Sequence, residues 1–553
     1  MNAELSVHGT ISLGNGAGDT VNAQNTIFTT AQFTSADIIA VGAGAGDTVN
    51  GDNCSFDRIT LGNGAGDTVS GVNSTGDLIT LGNGHNDFVS VTSSFGDRIT
   101  LGNGAVDAVS AKNSSDDTIA LGDGNGDTVN ASFDAFNPIN TVNTISLGNG
   151  HHDFVSANNS NFDTISLGNG AGDMVNADNS RHDVIALGDG RGDVVDSSFP
   201  TPDNLNEFSQ GSDTISLGNG AGDRVIAVNS SDDRISLGNG ANDFVDALGG
   251  PEFRLGDAAQ VTLGNGNHDA VEITGHSHWV TLGNGAGDVV TGGGSEGLIT
   301  LGDGNHDAVN ITSPEESFES ITLGNGVGDT VSTQHGFYYK IALGNGAGDT
   351  VNAQSGDSYG ITLGNGARDT VNAQNSITEG GSHSYNVALG DGIGDTVNAQ
   401  LSLGVNITLG NGARDVVNAQ GSLGDSITMG NGNDTIDVGL NTVVTVGTGH
   451  DSFVFEQTTP NTIGQATITG FDPHKDVITF SNQLTSSVSC HDNAQGNAVI
   501  TVDNAGDTIT LVGVHASELH PSDFHFVDPA AGAPSSPLPA QHIADLTAHN
   551  FLL

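Results

Sequence analysis

Basic residues are scarce in this sequence. Lys and Arg together number 12 against 65 Asp and Glu in 553 residues, so the formal net charge is −53. A chain with so few cations cannot neutralise a phosphate backbone, which argues against nucleic acid as a partner. The same charge favours either cation binding or a strongly solvated acidic surface.

Cysteines, aromatic residues and long apolar runs are equally rare. The two cysteines, Cys54 and Cys490, stand in unlike segments, so two unpaired thiols are expected rather than a disulfide or a thiolate metal site. Aromatic residues make up 5% of the chain, which is little for an ordinary globular core. No apolar run reaches the length of a membrane-spanning helix, so no membrane insertion is expected. Residues 1–5 have neither the basic region nor the apolar core of a signal peptide.

Glycine, in contrast, is abundant and periodic, with 82 residues. The motif Leu-Gly-Asn-Gly-x-x-Asp, as in residues 61–67, recurs at a period of about twenty residues from residue 13 to residue 429. Two short strands of alternating polar and apolar residues and two turns make one coil. Because no coil buries its Val, Ile and Leu alone, the coils must stack. The pattern predicts an all-β fold: a long parallel β-solenoid over residues 1–428, followed by a β domain that caps it over residues 429–527.

The two turns of each coil differ in sequence. One turn keeps its Gly residues and its Asp, whereas the other varies in length and loses its Asp column after Asp233. All the long inserts fall in the variable turn, and we expect them to be surface loops. They span residues 24–36, 131–142, 197–211, 248–259, 313–319 and 375–385.

The regular Asp column is the candidate binding site. Stacked coils would place these carboxylates about 5 Å apart, where each pair repels by roughly 1–3 kcal/mol. Carboxylate and turn carbonyl oxygens are the ligands of a hard cation, above all Ca²⁺. The alternative is that each Asp bonds its own turn as an Asx turn, without metal. The candidate ligands in the long repeat are Asp19, Asp47, Asp67, Asp87, Asp107, Asp127, Asp153, Asp173, Asp193, Asp223, Asp243, Asp269, Asp288, Asp307, Asp329, Asp349, Asp369, Asp395 and Asp415.

The repeat shortens near its C-terminal end. Gly430-Asn431-Gly432-Asn433-Asp434 and Gly447-Thr448-Gly449-His450-Asp451 have one residue fewer between Gly and Asp. This spacing is similar to the nonapeptide of the RTX, or haemolysin-type, calcium-binding family. Residues 453–478 and 507–526 resemble the segments that close the β-roll in serralysin-type secreted proteins. The resemblance implies Ca²⁺ held by Asp and Gly-loop carbonyls of neighbouring coils, here from Gly430, Asn431, Gly432, Asp434, Gly447, Gly449 and Asp451.

The C-terminal segment, residues 528–553, is rich in Pro, Ala and Ser and is expected to be a flexible tail. Its end, Asn550-Phe551-Leu552-Leu553, is similar to the uncleaved export signal of type I secretion substrates. The expected location is therefore extracellular or at the cell surface, reached without an N-terminal signal peptide.

The favoured function is a secreted, acidic calcium-binding repeat protein with a surface or matrix role, which folds on calcium binding after export. Its further partners would be other copies of itself, end to end in a filament or layer, or a cell-surface polysaccharide. The alternative is an ice-binding or adhesive rod, suggested by columns of Thr such as Thr60, Thr80 and Thr100. A polysaccharide-modifying enzyme is less favoured, because no acid, base and cation cluster together in the sequence. We therefore expect no enzyme activity and assign no catalytic residue.

Overall fold

The computed structural model describes residues 2–4, 9–23, 37–134, 141–199, 212–249, 258–312, 317–354, 358–373, 384–456, 464–481, 488–502 and 506–527. Within these residues there is no α-helix, and two short 3-10 helices span Ala516–Glu518 and Pro521–Asp523. The chain divides into two compact units, Met1–Gly285 and Ala286–Leu553. Each unit is a parallel β-solenoid with two strands per coil, which confirms the predicted fold class.

The first unit contains 25 strands. They are β1 (Asn2–Glu4), β2 (Thr10–Ser12), β3 (Thr20–Asn22), β4 (Ile38–Ala40), β5 (Thr48–Asn50), β6 (Arg58–Thr60), β7 (Thr68–Ser70), β8 (Leu78–Thr80), β9 (Phe88–Ser90), β10 (Arg98–Thr100), β11 (Ala108–Ser110), β12 (Thr118–Ala120), β13 (Thr128–Asn130), β14 (Thr144–Ser146), β15 (Phe154–Ser156), β16 (Thr164–Ser166), β17 (Met174–Asn176), β18 (Val184–Ala186), β19 (Val194–Asp196), β20 (Thr214–Ser216), β21 (Arg224–Ile226), β22 (Arg234–Ser236), β23 (Phe244–Leu248), β24 (Ala258–Thr262) and β25 (Ala270–Thr281).

The second unit contains the remaining 22 strands. They are β26 (Val289–Thr300), β27 (Ala308–Thr312), β28 (Phe318–Thr322), β29 (Thr330–Gln334), β30 (Tyr338–Ala342), β31 (Thr350–Gln354), β32 (Ser358–Thr362), β33 (Thr370–Asn372), β34 (Ser384–Ala388), β35 (Thr396–Asn398), β36 (Asn406–Thr408), β37 (Val416–Asn418), β38 (Ser426–Thr428), β39 (Thr435–Asp437), β40 (Val443–Thr445), β41 (Ser452–Glu456), β42 (Gln465–Thr469), β43 (Val477–Ser481), β44 (Val488–Asp492), β45 (Ala498–Val502), β46 (Asp507–Val512) and β47 (Phe524–Val527).

Strands pair with their counterparts one coil away, not with their neighbours in sequence. Strand β7 lies between β5 and β9, so Val69 is in register with Val49 and Val89. All three side chains are fully buried, and the flanking polar residues of each strand face outward. The core is therefore a stack of identical apolar positions, as the period of the sequence requires.

The second unit differs in one part of its core. The rings of Tyr339, Tyr359 and Tyr385 stack with centroids 5.1 and 4.8 Å apart, and all three side chains are buried. They take the positions that Asp residues hold in the variable turns of the first unit. The unit ends in an antiparallel arrangement of β44, β45 and β46, and β46 also pairs in parallel with β42. This arrangement agrees with the predicted closing segment.

Other sequence predictions concern the cysteines, membrane-spanning helices, the tail and the domain boundary. Cys54 and Cys490 are buried and form no disulfide, as expected. Among the described residues, no helix is long and apolar enough to span a bilayer. The tail predicted over residues 528–553 and most of the predicted inserts lie outside the described residues, and the domain boundary at residue 428 stays a prediction.

The glycine turns are where neighbouring coils come closest. A Cβ added to Gly64 would lie 1.6 Å from the carbonyl oxygen of Gly44, so no side chain fits there. Gly66 has a φ of +74° and open space around it, and Asn86 occupies the equivalent position of the next coil at φ +61°. Gly64 is thus required by packing, whereas Gly66 is required only by its left-handed backbone.

Alanine at Gly64 is therefore expected to destabilise the protein. We expect Gly64→Ala to lower the free energy of unfolding by about 1–3 kcal/mol, because the neighbouring backbone must move to admit the methyl group. Gly66→Asn is the matched control in the same turn and should change it by less than about 0.5 kcal/mol. Thermal unfolding of both variants at saturating calcium measures the difference, and equal stability of the two would contradict the close approach.

Candidate metal-binding edge

One edge of the coils is formed by the turns at residues 61–67 and their equivalents, here called the glycine edge. The Asp that ends each turn is buried. Its Oδ1 accepts the backbone N–H of the corresponding Asp in the preceding coil: Asp47 donates to Asp67 over 2.9 Å, and Asp67 donates to Asp87 over 3.0 Å. The carboxylates thus form a continuous ladder of hydrogen bonds between coils.

The ladder contains every predicted ligand of the long repeat. In the first unit it runs from Asp19, which is half-buried, through Asp47, Asp67, Asp87, Asp107, Asp127, Asp153, Asp173, Asp193, Asp223 and Asp243 to Asp269. In the second unit it runs from Asp288 through Asp307, Asp329, Asp349, Asp369, Asp395, Asp415, Asp434 and Asp451 to Asp476.

This geometry differs from the Asx-turn alternative. An Asx turn would satisfy each carboxylate within its own turn. Here the bond of each Oδ1 reaches the preceding coil, so the carboxylates connect coils instead of closing loops. The sequence pattern correctly predicted the column but not this pairing.

The second oxygen of each carboxylate is the unusual feature of the edge. Oδ2 of Asp67, Asp87 and Asp434 is buried and has no hydrogen-bond partner among the described residues. The same holds for the equivalent oxygens of Asp47, Asp107, Asp127, Asp153, Asp173, Asp193, Asp223, Asp243, Asp307, Asp329, Asp349, Asp369, Asp395, Asp415 and Asp451. A buried, unsatisfied carboxylate oxygen is strongly unfavourable unless a proton or a cation neutralises it.

Burial changes the acidity of these groups accordingly. Desolvation raises the pKa of Asp87 to about 6 and that of Asp107 to about 7, although the N–H bond from the preceding coil acts in the opposite direction. Desolvation likewise raises the pKa of Asp434 and Asp451 to about 6, with repulsion between neighbouring carboxylates adding to it. The ladder therefore attracts a positive charge near neutral pH.

Each unsatisfied oxygen lies beside a main-chain carbonyl oxygen. The point where a Cβ of Gly64 would stand is 1.6 Å from Gly44 O and 2.9 Å from Asp67 Oδ2. At Gly84 the corresponding distances are 1.7 Å to Gly64 O and 2.6 Å to Asp87 Oδ2. A carboxylate oxygen and a carbonyl oxygen from adjacent coils thus come close together where glycine, having no side chain, lets the two coils approach. This donor set fits a hard cation such as Ca²⁺.

The residues singled out by the RTX resemblance lie together in two consecutive turns. Gly432 pairs with Gly449 in a parallel bridge, and the Gly447 N–H donates to Gly430 O over 3.0 Å. Asn431 Oδ1 accepts the N–H of Thr448 over 2.9 Å. Asp434 donates its N–H to Asp451 over 3.0 Å and accepts that of Asp415 over 3.1 Å. The shorter repeat therefore continues the ladder of the long one without a break.

Asp476 is a ladder member that the sequence reasoning missed. Its Oδ1 accepts the N–H of Asp451 over 2.9 Å, and its Oδ2 accepts that of Asp472 over 2.7 Å. Both oxygens are satisfied by protein, so the ladder ends here without an unpaired atom. In the sequence Asp476 stands two residues before Ile478, which faces inward. This spacing is the same as that between Asp67 and Val69, and it could have identified Asp476 as a ladder member.

A second, exposed ladder runs along the same edge. Asn63 Oδ1 accepts the backbone N–H of Asn83 over 2.9 Å, and Asn83 Oδ1 accepts that of Asn103 over 2.8 Å. Four coils have Asp at this position, and Asp123 accepts both the N–H and the side-chain amide of Asn149. These two bonds lower the pKa of Asp123, so its charge is stabilised without a metal. Asp189, Asp303 and Asp391 make the same pair of bonds with the Asn of the following coil.

No family model matches the chain, and no curated protein matches it significantly. Among the described residues, no three His, Cys, Asp or Glu side chains converge as a metal site. Any ion at the glycine edge would therefore be held by the carboxylate of each coil together with main-chain oxygens.

Proposed function

We propose that this chain is a secreted, acidic calcium-binding repeat protein with a structural role at the cell surface or in an extracellular matrix, and that it folds on calcium binding after export. The observation that carries the proposal is the column of buried Asp Oδ2 atoms, each beside a glycine carbonyl and without a hydrogen-bond partner among the described residues. Asp67 and Gly44 exemplify the groups that would hold each ion.

Calcium would supply the charge that the fold needs. A divalent ion offsets the repulsion between successive carboxylates and takes the oxygen that no donor reaches. Because the unfolded chain does not bring these oxygens together, the free energy of ion binding adds to the free energy of folding. A cytosol with little calcium would leave the chain loosely folded, and calcium outside the cell would order it.

Calcium binding by two matched sets of variants tests this function. One set changes the buried Asp67, Asp87, Asp107 and Asp127 to Asn, and the other changes the exposed Asp123, Asp189, Asp303 and Asp391 to Asn. Both sets remove four charges, and Asn occurs naturally at the exposed position, as at Asn63. We expect equilibrium dialysis to show fewer ions bound at saturation only for the buried set. An equal loss in both sets would mean that ions merely condense on an acidic surface.

An adhesive or ice-binding role has one observation in its favour. Thr350, Thr370 and Thr396 stand in register on half-exposed strands of the second unit. Beside them an amide ladder runs from Asn398 to Asn372 and from Asn372 to Asn352, with each bond 2.7 Å long. This flat, regular array would suit an ordered polar surface. A thermal hysteresis measurement on the calcium-loaded chain tests the ice-binding version.

A further inference from the structure

The opposite edge of the first unit carries a second buried column of carboxylates. Its turns are residues 71–77 and their equivalents, here called the serine edge. Asp57 donates its N–H to Asp77 Oδ1 over 3.0 Å, and Asp77 donates to Asp97 over 2.8 Å. Their Oδ2 atoms are buried and have no hydrogen-bond partner among the described residues. Judged by the carboxylates alone, the two edges look equivalent.

The serine edge differs in the residue three positions before the Asp. The glycine edge has Gly there, as at Gly64, whereas the described turns of the serine edge have a side chain with a hydroxyl group or, once, a thiol. In the first unit these residues are Cys54, Ser74, Ser94, Ser114, Ser160, Ser180 and Ser230. The position that has no room for a side chain at the glycine edge therefore carries one at the serine edge.

Several of these serines bond a carbonyl oxygen in the turn of the preceding coil, whereas Ser230 donates to Asp233 Oδ1 over 3.0 Å. Ser114 donates its hydroxyl to Val91 O over 2.6 Å, and Ser180 donates to Ala157 O over 2.8 Å. Ser94 donates to Gly71 O over 2.9 Å and accepts the N–H of Ser74 over 3.2 Å. A carbonyl oxygen that already accepts a hydroxyl proton is a poor additional ligand for a cation. The serine edge therefore lacks the pair of available oxygens found at the glycine edge.

The column of the serine edge also accepts a neutral residue. Asn143 stands between Asp117 and Asp163, is fully buried, and accepts the N–H of Asp117 through Oδ1 over 3.2 Å. It donates its own N–H to Asp163 over 2.9 Å. Asparagine has the shape of a protonated aspartic acid without its negative charge. Every described member of the glycine-edge ladder from Asp47 to Asp476 is, in contrast, an Asp.

We propose that the two edges of the first unit are neutralised by different cations: divalent ions at the glycine edge, and protons at the serine edge. The first half rests on the calcium-binding function proposed above, whereas the second half does not. Calcium would then be bound along one edge of each coil, while the carboxyl groups of Asp57, Asp77, Asp97 and Asp117 take up protons within the fold.

The surroundings of the serine edge agree with bound protons. The titratable groups next to this column are its own members, Cys54 beside Asp57, Asp116 beside Asp117 and Asp232 beside Asp233. Desolvation, with repulsion from Asp117 and Asp77, raises the pKa of Asp97 to about 8. Arg58 and Arg98, the basic residues that directly follow Asp57 and Asp97, lie on the exposed side of their strands.

Asn variants of the full chain at both edges test the proposal. The serine-edge set changes Asp57, Asp77, Asp97 and Asp117, and the glycine-edge set changes Asp67, Asp87, Asp107 and Asp127 in neighbouring turns. We expect the serine-edge set to bind as many calcium ions as the wild type in equilibrium dialysis. With calcium bound, its thermal midpoint should depend less on pH between 5 and 8 than that of the wild type, since four titrating groups are gone.

The proposal would be overturned if the serine-edge set lost as many calcium ions as the glycine-edge set. It would also be overturned if the thermal midpoint of the serine-edge set kept the pH dependence of the wild type, or if this set failed to fold at pH 5 with calcium. The reverse variant, Asn143→Asp, provides a second measurement. It should bind no additional ion and should make the thermal midpoint more sensitive to pH. If the wild type binds no calcium at all, the proposed function fails, but the pH profiles still decide whether the serine edge holds protons.

Discussion

Removing calcium at pH 7.5 is expected to abolish most of the strand signal of the full chain, and adding millimolar calcium is expected to restore it. Each unit by which burial raises a carboxyl pKa corresponds to about 1.4 kcal/mol against the ionised folded state. Raised pKa values occur at many members of the glycine-edge ladder, for example at Asp87 and Asp107. Even with a large allowance for solvent screening, their sum exceeds the roughly 5–15 kcal/mol by which domains are stable.

Circular dichroism during a calcium titration of the chelator-treated protein measures this effect. Because neighbouring coils share the ladder, the rise in strand signal should be steeper than a single-site curve. Magnesium is the control ion: it keeps its water and requires octahedral geometry, so it should restore far less structure. Full strand content in excess chelator at pH 7.5 would show that the ladder is stable without metal.

Acid is expected to replace calcium in part. The folded-state pKa of these Asp residues is raised, to about 6 at Asp77 and about 7 at Asp107, above an ordinary value near 4. For a raised carboxyl pKa, the stabilising contribution is fully present below the ordinary value and is lost as pH rises through the folded-state value. The calcium-free chain should therefore gain strand signal and thermal stability from pH 8 to pH 5.

The calcium-loaded chain is the control for this experiment. Its thermal midpoint should vary less over the same range, because calcium neutralises the glycine edge and only the serine edge still titrates. Thermal unfolding monitored by circular dichroism in chelator and in calcium, at several pH values from 5 to 8, provides the comparison. Stability that increases with pH in chelator would mean that the buried carboxylates have partners that stabilise their charged form.

The fold could be predicted because the sequence is periodic. Val49, Val69 and Val89 recur at a fixed spacing, and that spacing alone sets the parallel register between coils. The Asp column was predictable for the same reason. The period does not show which group each carboxylate bonds to, because a bond within its own turn and a bond to the preceding coil would both recur at the same spacing.

The inward direction of the Asp side chains could have been inferred but was not. Asp67 and Val69 are two residues apart, and in an extended chain such residues point to the same side. Because Asp is charged, it was expected at a solvated edge. The alternation of side chains along an extended chain, however, places Asp67 on the side of the core. The Asp column of the variable turn was recognised in the sequence but not proposed as a binding site, because it is lost after Asp233.

The ladder of the second unit has a direction, and its end at Asp476 is complete. Every coil presents a carboxylate oxygen to the coil that precedes it in sequence, while Asp476 takes both of its own bonds from protein. An ordered C-terminal coil therefore offers a ready acceptor to the next coil toward the N-terminus. This asymmetry favours folding that starts near Asp476 and advances, one turn at a time, toward lower residue numbers.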